Sequence, residues 1–199
     1  MSEIRSICVF CGSALGADPA FEAAARTLGE TMAREQIRLV YGGGSIGLMG
    51  TVARAVLDGG GTVLGVIPQF LVDREVMLPE VSELVVTKDM HQRKRIMFEQ
   101  CDAFVTLPGG IGTLEEVVEQ MTWVQLGQHA KPIVLADIGG FWHPLAELLE
   151  HMRRSGFIRP GLEVSYSVVG RIEDVIPTAR AVQAQTRAAV GAGLPLDRL

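Results

Sequence analysis

The chain has 199 residues, 48% hydrophobic and 21% charged, with a formal net charge of -5. That length buries a full core in one α/β domain without help from metals or disulfides. The acidic balance argues against a general nucleic-acid binder, which needs a basic surface to follow phosphates. The start, "MSEIRSICVF", lacks the apolar core and cleavage site of a secretory signal, and no run reaches the length of a membrane span. A cytoplasmic protein, with no membrane partner, is the expectation. Three cysteines, Cys8, Cys11 and Cys101, form an odd set that suits a reducing compartment.

Short β-branched runs alternate with longer amphipathic ones along the chain. "SICVFCGS", "IRLVYGGG", "GTVLGVIP", "SELVVT", "DAFVTLPGG", "KPIVLAD" and "VSYSVVG" read as strands. "PAFEAAARTLGETMAREQ", "GLMGTVARAVLDGG", "DMHQRKRIMFEQC", "TLEEVVEQMTWVQLG" and "FWHPLAELLEHMRRSG" read as helices. The alternation predicts an α/β fold, a doubly wound parallel sheet of about seven strands with helices on both faces. Residues 1–182 are expected to form one domain, and 183–199, which lose periodicity, a helix end and a frayed tail. Ligands of such sheets bind beyond the carboxyl ends of the strands, so the loops after "VFC", "LVY" and "VTL" are where chemistry is sought. All three contain glycine.

Cys8 and Cys11 form C-x-x-C, a spacing found in redox pairs. Cys8 lies inside a strand pattern and a turn follows Cys11, so buried small side chains are the plainer reading. Gly42, Gly44 and Gly47 of "GGGSIG" satisfy G-x-G-x-x-G between a strand and a helix. An NAD site also needs a carboxylate at the end of the next strand, and "LGVIPQ" offers none. Phosphate contact, through Gly43 and Gly44 among others, or tight helix packing remain open for this loop.

The second loop, in "TLPGGIGTLEE", runs from Pro108 through Gly110, Ile111 and Gly112 into a helix start, and Thr113 adds a hydroxyl. Backbone N–H groups there form an anion site. No Gly-Lys pair occurs in the chain, which disfavours a P-loop. Thr113, Leu114, Glu115 and Glu116 read T-x-x-E, a capping box in which Glu116 bonds the Thr113 backbone N–H. A carboxylate in the first helical turn is favoured by the helix dipole, which suits a base or a partner for developing positive charge. A counter-charge comes from "DMHQRKRIMFEQ", where Asp89 is a candidate cap and His91, Arg93, Lys94 and Arg95 crowd the first two turns. Arg93 shares a helix face with Met90 and Met97 and so points toward the core or a site. His91, His129, His143 and His151 show no metal-ligand spacing.

Together "YGGGSIGLMG", "DMHQRKRIM" and "LPGGIGTLEE" closely resemble the Lonely Guy family of cytokinin-activating phosphoribohydrolases, from residue 4 to about 169. The resemblance implies a Rossmann-like homodimer with sites near the subunit interface, needing no cofactor or metal. It implies hydrolysis of the N-glycosidic bond of a purine nucleoside 5′-monophosphate, an N6-substituted adenine or AMP, to free base and ribose 5-phosphate. The family's catalytic pair then falls on Arg93 and Glu116. Its phosphate and ribose contacts fall on Lys94, Gly110, Ile111, Gly112 and Thr113, and a further substrate-contacting acid on Glu75. Both glycine loops, with Ser13 as an extra donor, are expected to hold the 5′-phosphate. Members are often labelled lysine decarboxylases, but only Lys88, Lys94 and Lys131 exist here, none in an evident pyridoxal-phosphate setting. Ile111 stands where many members carry an aromatic, and "MLPEVSEL" replaces a more glycine-rich stretch, which bears on base selectivity. The rival readings are a non-catalytic nucleotide-binding carrier or sensor and an NAD-dependent oxidoreductase.

Overall fold

A computed structural model describes residues 4–72, 77–159, 161 and 163–191. Seven strands, β1 (Ser6–Phe10), β2 (Arg38–Tyr41), β3 (Val63–Pro68), β4 (Glu83–Thr87), β5 (Ala103–Thr106), β6 (Ile133–Ala136) and β7 (Ser167–Val169), form one sheet in the order β4-β3-β2-β1-β5-β6-β7. Every pairing between them is parallel. Among the described residues six α-helices accompany them: α1 (Pro19–Arg34), α2 (Gly47–Asp58), α3 (Met90–Glu99), α4 (Ile111–Gln125), α5 (His143–Arg154) and α6 (Val175–Gly191). The doubly wound α/β sheet expected from the alternation is the observed fold.

The side chains of the central strands divide the core in two, as a period of two requires. Ile7 and Val9 of β1, with Ala103 and Val105 of β5, face the cluster that holds Leu28 of α1, Val52 of α2 and Ala179 of α6. Cys8, Phe10 and Phe104 face the other, with Met97 of α3, Val117 and Met121 of α4, and Trp142 before α5. Winding outward from β1 to β4 and then returning to β5 reverses the direction of travel. Right-handed crossovers then put α3, α4 and α5 on the face opposite α1 and α2.

Local signals set several helix starts. Asp18 Oδ1 accepts the Ala20 N–H at 2.8 Å ahead of Pro19 at the first turn of α1. Asp89 caps α3 as expected, accepting the Gln92 N–H at 2.8 Å. The segment from 183 is helical through Gly191 as the end of α6, despite its weak periodicity. Only Val175, Ile176 and Ala179 of α6 are buried, so most of that helix carries little apolar signal. The rest of the expected tail, 192–199, lies outside the described residues. Among the described residues no helix is long and apolar enough to cross a membrane.

Candidate functional site

Strand order reverses between β1 and β5, and the loops after β1, β2 and β5 meet at that point. The Gly12 N–H donates to Pro108 O at 3.1 Å, which joins the first loop to the third. The second joins the first through α2: the Leu48 and Met49 N–H groups donate to Gly12 O at 3.1 and 3.3 Å. A helix start normally leaves such donors for a ligand. Here the protein's own carbonyl takes them.

The glycines of "GGGSIG" serve the same packing. A Cβ on Gly47, whose φ is +60°, would lie 2.3 Å from the Ser13 carbonyl carbon, and one on Gly42 would lie 2.1 Å from the Arg93 guanidinium. Gly43 and Gly44 are buried; Gly43 O accepts the Leu78 N–H at 3.1 Å and Gly44 bridges to Met77. Of the two uses left open for this loop, its geometry favours packing.

The third loop differs. Gly110 and Gly112 are exposed, and a Cβ on either would meet nothing within 4 Å. The Leu114 N–H is bonded back to Gly110 O at 3.0 Å, so the N–H groups of Ile111, Gly112 and Thr113 belong to the turn that a helix leaves without intrahelical acceptors. The expected capping box is a correction. Gly110 is the N-cap, with no side-chain cap bond, and Thr113 already lies inside the helix. The glycines let the turn begin early, because Gly109 has no Cβ to strike the Thr113 hydroxyl, which would sit 2.2 Å away. Thr113 is therefore buried under the loop, while Ile111 stands 82% exposed beside it. Ser13 is exposed, and with Leu15, Phe21, Leu48, Gly110 and Phe141 it lines a cavity of about 280 Å³. The apolar wall of that cavity, from α1 and the turn before α5, carries no local sequence signal.

Arg93 and Glu116 come together. Arg93 is 5% exposed; its Nε donates to Val66 O at 3.1 Å and its Nη2 to Gly42 O at 3.4 Å, with Glu116 Oε1 at 3.8 Å from Nη2. The carbonyl ends of β2 and β3 thus orient the guanidinium, and its charge faces a carboxylate in the second turn of α4. Those carbonyls could not be assigned from local sequence, since they lie 27 and 51 residues away. Lys94, on the same helix, reaches α4: its Nζ lies 2.6 Å from Glu115 Oε1 and 2.8 Å from Glu119 Oε1. Burial alone would lower the Lys94 pKa, but the hydrogen bonds to Glu115 and Glu119 raise it above its ordinary value. Glu75 lies outside the described residues.

Beneath the pair, Cys8 and Cys11 are buried on opposite sides of the sheet, one in each core cluster. That separation removes the redox reading of C-x-x-C. Burial pushes both thiols up, and the Glu116 charge adds to the rise in each. Tyr41 is likewise raised, first by burial and then by Cys11, with Arg54 opposing. Neutral groups therefore floor the site. Among the described residues no three of His, Cys, Asp and Glu converge as a metal centre requires.

Comparison with known proteins adds to this geometry. Residues 49–178 match the family profile described as "Possible lysine decarboxylase". The chain is 43% identical over 183 residues to the cytokinin riboside 5'-monophosphate phosphoribohydrolase LOG1 of Arabidopsis thaliana, covering 88% of this chain and 86% of that one. It is 48% identical over 159 residues to the probable enzyme of that name LOGL2 of Oryza sativa subsp. japonica, covering 80% of this chain but 65% of the relative. The chain therefore spans just under two thirds of the rice protein's length. Among solved structures, the molybdenum cofactor carrier protein of Chlamydomonas reinhardtii superposes with a TM-score of 0.67 at 22% identity, over 92% of this chain and 99% of that one. That likeness speaks to the fold alone. The profile spans α3, the glycine loop after β5 and α4, and the chain belongs to the LOG family, the family carried under the description of possible lysine decarboxylase.

Proposed function

We propose that the chain hydrolyses the N-glycosidic bond of purine nucleoside 5′-monophosphates, N6-substituted adenine nucleotides and AMP among them, releasing free base and ribose 5-phosphate. One observation carries the proposal: an open, uncapped α4 N-terminus lies one turn from a carboxylate that faces a buried guanidinium. The names of the relatives point to the same reaction.

The 5′-phosphate binds the N–H groups of Ile111, Gly112 and Thr113, where dipole and unpaired donors favour an anion, with the Ser13 hydroxyl as a further donor. Fixing the phosphate fixes the ribose, so binding energy remote from the reaction centre places C1′ for attack. As the C1′–N bond breaks, positive charge grows on the ribose, and Glu116 stabilises it and takes the proton of the water that adds to C1′. The departing nitrogen is protonated in turn. Arg93, held by two backbone carbonyls, keeps a positive charge beside Glu116 and contacts substrate, and Glu75 is assigned to the substrate contact on the base side. Gly43 and Gly44 support the cradle from beneath.

A pyridoxal-phosphate decarboxylase is a poor fit. Schiff-base chemistry needs a lysine that readily becomes neutral. Lys94 is held by two carboxylates, and Lys131 lies over the Phe98 ring and donates to Phe98 O. Lys88 is a solvent-exposed residue ahead of α3.

A cytoplasmic homodimer is part of the proposal. Ile111 and Val118 of α4 and Leu126 at its C-cap are exposed at helical spacing, an apolar stripe suited to a second copy. The test is incubation of the pure protein with AMP and with isopentenyladenosine monophosphate, followed by chromatography for free base. Release from either is expected, and Glu116→Gln should lower it about 1,000-fold while nucleotide still binds. No base from either substrate would leave a nucleotide-binding protein, and near-normal release by Glu116→Gln would remove Glu116 from the mechanism.

A further inference from the structure

Three helix starts meet around the cavity beside Ser13, through Phe21 of α1, Leu48 of α2 and Gly110, the N-cap of α4. A helix start has free N–H groups and a dipole that favour an anion. Two of these three are closed by the protein itself. At α1, Pro19 has no N–H, Ala20 donates to Asp18 Oδ1 at 2.8 Å and Phe21 to Asp18 O at 3.1 Å. At α2, Gly12 O takes the Leu48 and Met49 N–H groups. The α4 start is left as the one phosphate cradle on this cavity among the described residues.

Beyond that cradle the cavity is apolar. Leu15, Phe21, Leu48, Pro108 and Phe141 form its wall, Ser13 is its one polar side chain among the described residues, and neither Arg93 nor Glu116 lines it. The wall is held in place: the Phe21 and Phe141 rings meet edge to face at 5.6 Å, and a Cβ on Gly16, whose φ is +79°, would lie 2.7 Å from the Phe21 ring. The charged side chains tied to it are acids. Asp18 caps α1, and Asp137 Oδ1 accepts the Trp142 N–H at 2.6 Å, next to Phe141.

With the 5′-phosphate on α4 and Glu116 at C1′, a second phosphate would extend away from the ribose, past Gly110 and Ser13, against this wall. The cavity volume, about 280 Å³, far exceeds the ~10–15 Å³ that admits one water, so lack of room does not bar it. Polarity does, because a further phosphate would lose water there and gain no cation. We infer that Leu15, Phe21 and Phe141 are specificity-determining residues that confine the site to a single terminal phosphate, rejecting nucleoside di- and triphosphates by desolvation. The inference rests on the phosphate placement proposed above.

The test measures AMP and ADP binding by titration calorimetry in metal-free buffer, with the full-length chain carrying Glu116→Gln so that turnover does not enter. ADP should bind about 100-fold more weakly than AMP. Phe141→Ala widens the cavity and keeps it apolar, so the ratio of the two affinities should stay within about threefold of its starting value. Leu15→Lys puts an ammonium on the wall, at a side chain that is 42% exposed, and should shift the ratio toward ADP about tenfold. Leu15→Met should leave the ratio in place, and the Leu15→Lys shift should shrink at high salt.

Equal binding of AMP and ADP, or an unchanged ratio in Leu15→Lys, would overturn the inference. A gain for ADP in Phe141→Ala would overturn it in favour of a steric limit. Ala14→Lys, at an exposed residue that also lines the cavity, carries the test if Leu15→Lys does not fold. The reaction and the filter fail separately: a chain that binds AMP, rejects ADP and releases no base loses the reaction proposed above and keeps the filter. A chain that binds neither nucleotide loses both.

Discussion

Two loops of this protein look alike on paper and behave as opposites. "GGGSIG" after β2 and "PGGIGT" after β5 each join a parallel strand to a helix through glycines. At the first, Gly12 O takes the Leu48 and Met49 N–H groups, and Gly42, Gly43 and Gly47 make room for Arg93, Ile67 and Ser13. At the second, Gly110 and Gly112 face open space over a helix start with no side-chain cap. A glycine motif states only that backbone comes close to something. What it comes close to, the protein itself or a ligand, depends on which carbonyl reaches the helix donors first.

The sharpest way to break this comparison is to add one methyl group to the loop read as packing. Ala at Gly47 would need a left-handed φ of +60° and would place its Cβ 2.3 to 2.5 Å from Ser13 and Ala14 atoms, all of them backbone. Left-handed strain and overpacking together predict a loss of about 3–4 kcal/mol. Urea denaturation of Gly47→Ala measures it directly. A loss below about 1 kcal/mol would show that the loop yields, and that its glycines are kept for something other than packing.

Legibility followed the same division between local and distant causes. The seven strands were readable because a buried parallel sheet writes short β-branched runs between amphipathic ones, as "SICVF" and "IVLA" do. Asp89 was readable as a cap because its partner lies three residues on. Arg93 was readable as inward-facing from Met90 and Met97, yet the carbonyls of Gly42 and Val66 that hold it were not. The cap of α4 was misread for a related reason. Thr113 has the right local chemistry, but contact with Gly109 draws it under the loop and moves the helix start to Ile111. The carboxylates that meet Lys94, Glu115 and Glu119, lie 21 and 25 residues along the chain and carried no local signal.

A control for both loops comes from the opposite end of the sheet. His129, just ahead of β6, is buried against the Phe98 and Phe104 rings, with Nδ1 accepting the Lys131 N–H at 3.1 Å. Burial first, and the Lys131 ammonium second, push its imidazole from 6.5 down to about 4, only partly offset by the Gln120 backbone. The unfolded chain binds a proton at this site below pH 6.5 that the folded chain refuses until about pH 4. Stability is therefore full above pH 6.5 and falls as pH drops through that window, by up to about 3 kcal/mol at pH 4. Urea midpoints at pH 7.5 and 4.5 should converge for His129→Gln relative to wild type. The acid loss should be the same in wild type and Gly47→Ala, because the two sites share no partners. An acid effect that depends on Gly47→Ala would mean that the two ends of the sheet open together.

The smallest effect tests the open loop, and it has the opposite sign in stability. Gly112 lies in the first turn of α4 and a Cβ there meets nothing within 4 Å, so Gly112→Ala should fold at least as well as wild type. The better helix propensity of Ala predicts a gain of about 0.5 kcal/mol. The same methyl group stands where the phosphate must approach the α4 N–H groups. AMP affinity, measured by titration calorimetry with the Glu116→Gln variant to suppress turnover, should fall about tenfold, or ~1.4 kcal/mol. Stability and affinity moving in opposite directions at Gly112, while Gly47→Ala lowers stability far more, is the pattern that separates a cradle from a packing joint. If Gly112→Ala binds AMP as wild type does, the phosphate does not sit on the α4 N-terminus, and the cavity beside Ser13 becomes the place to look for it.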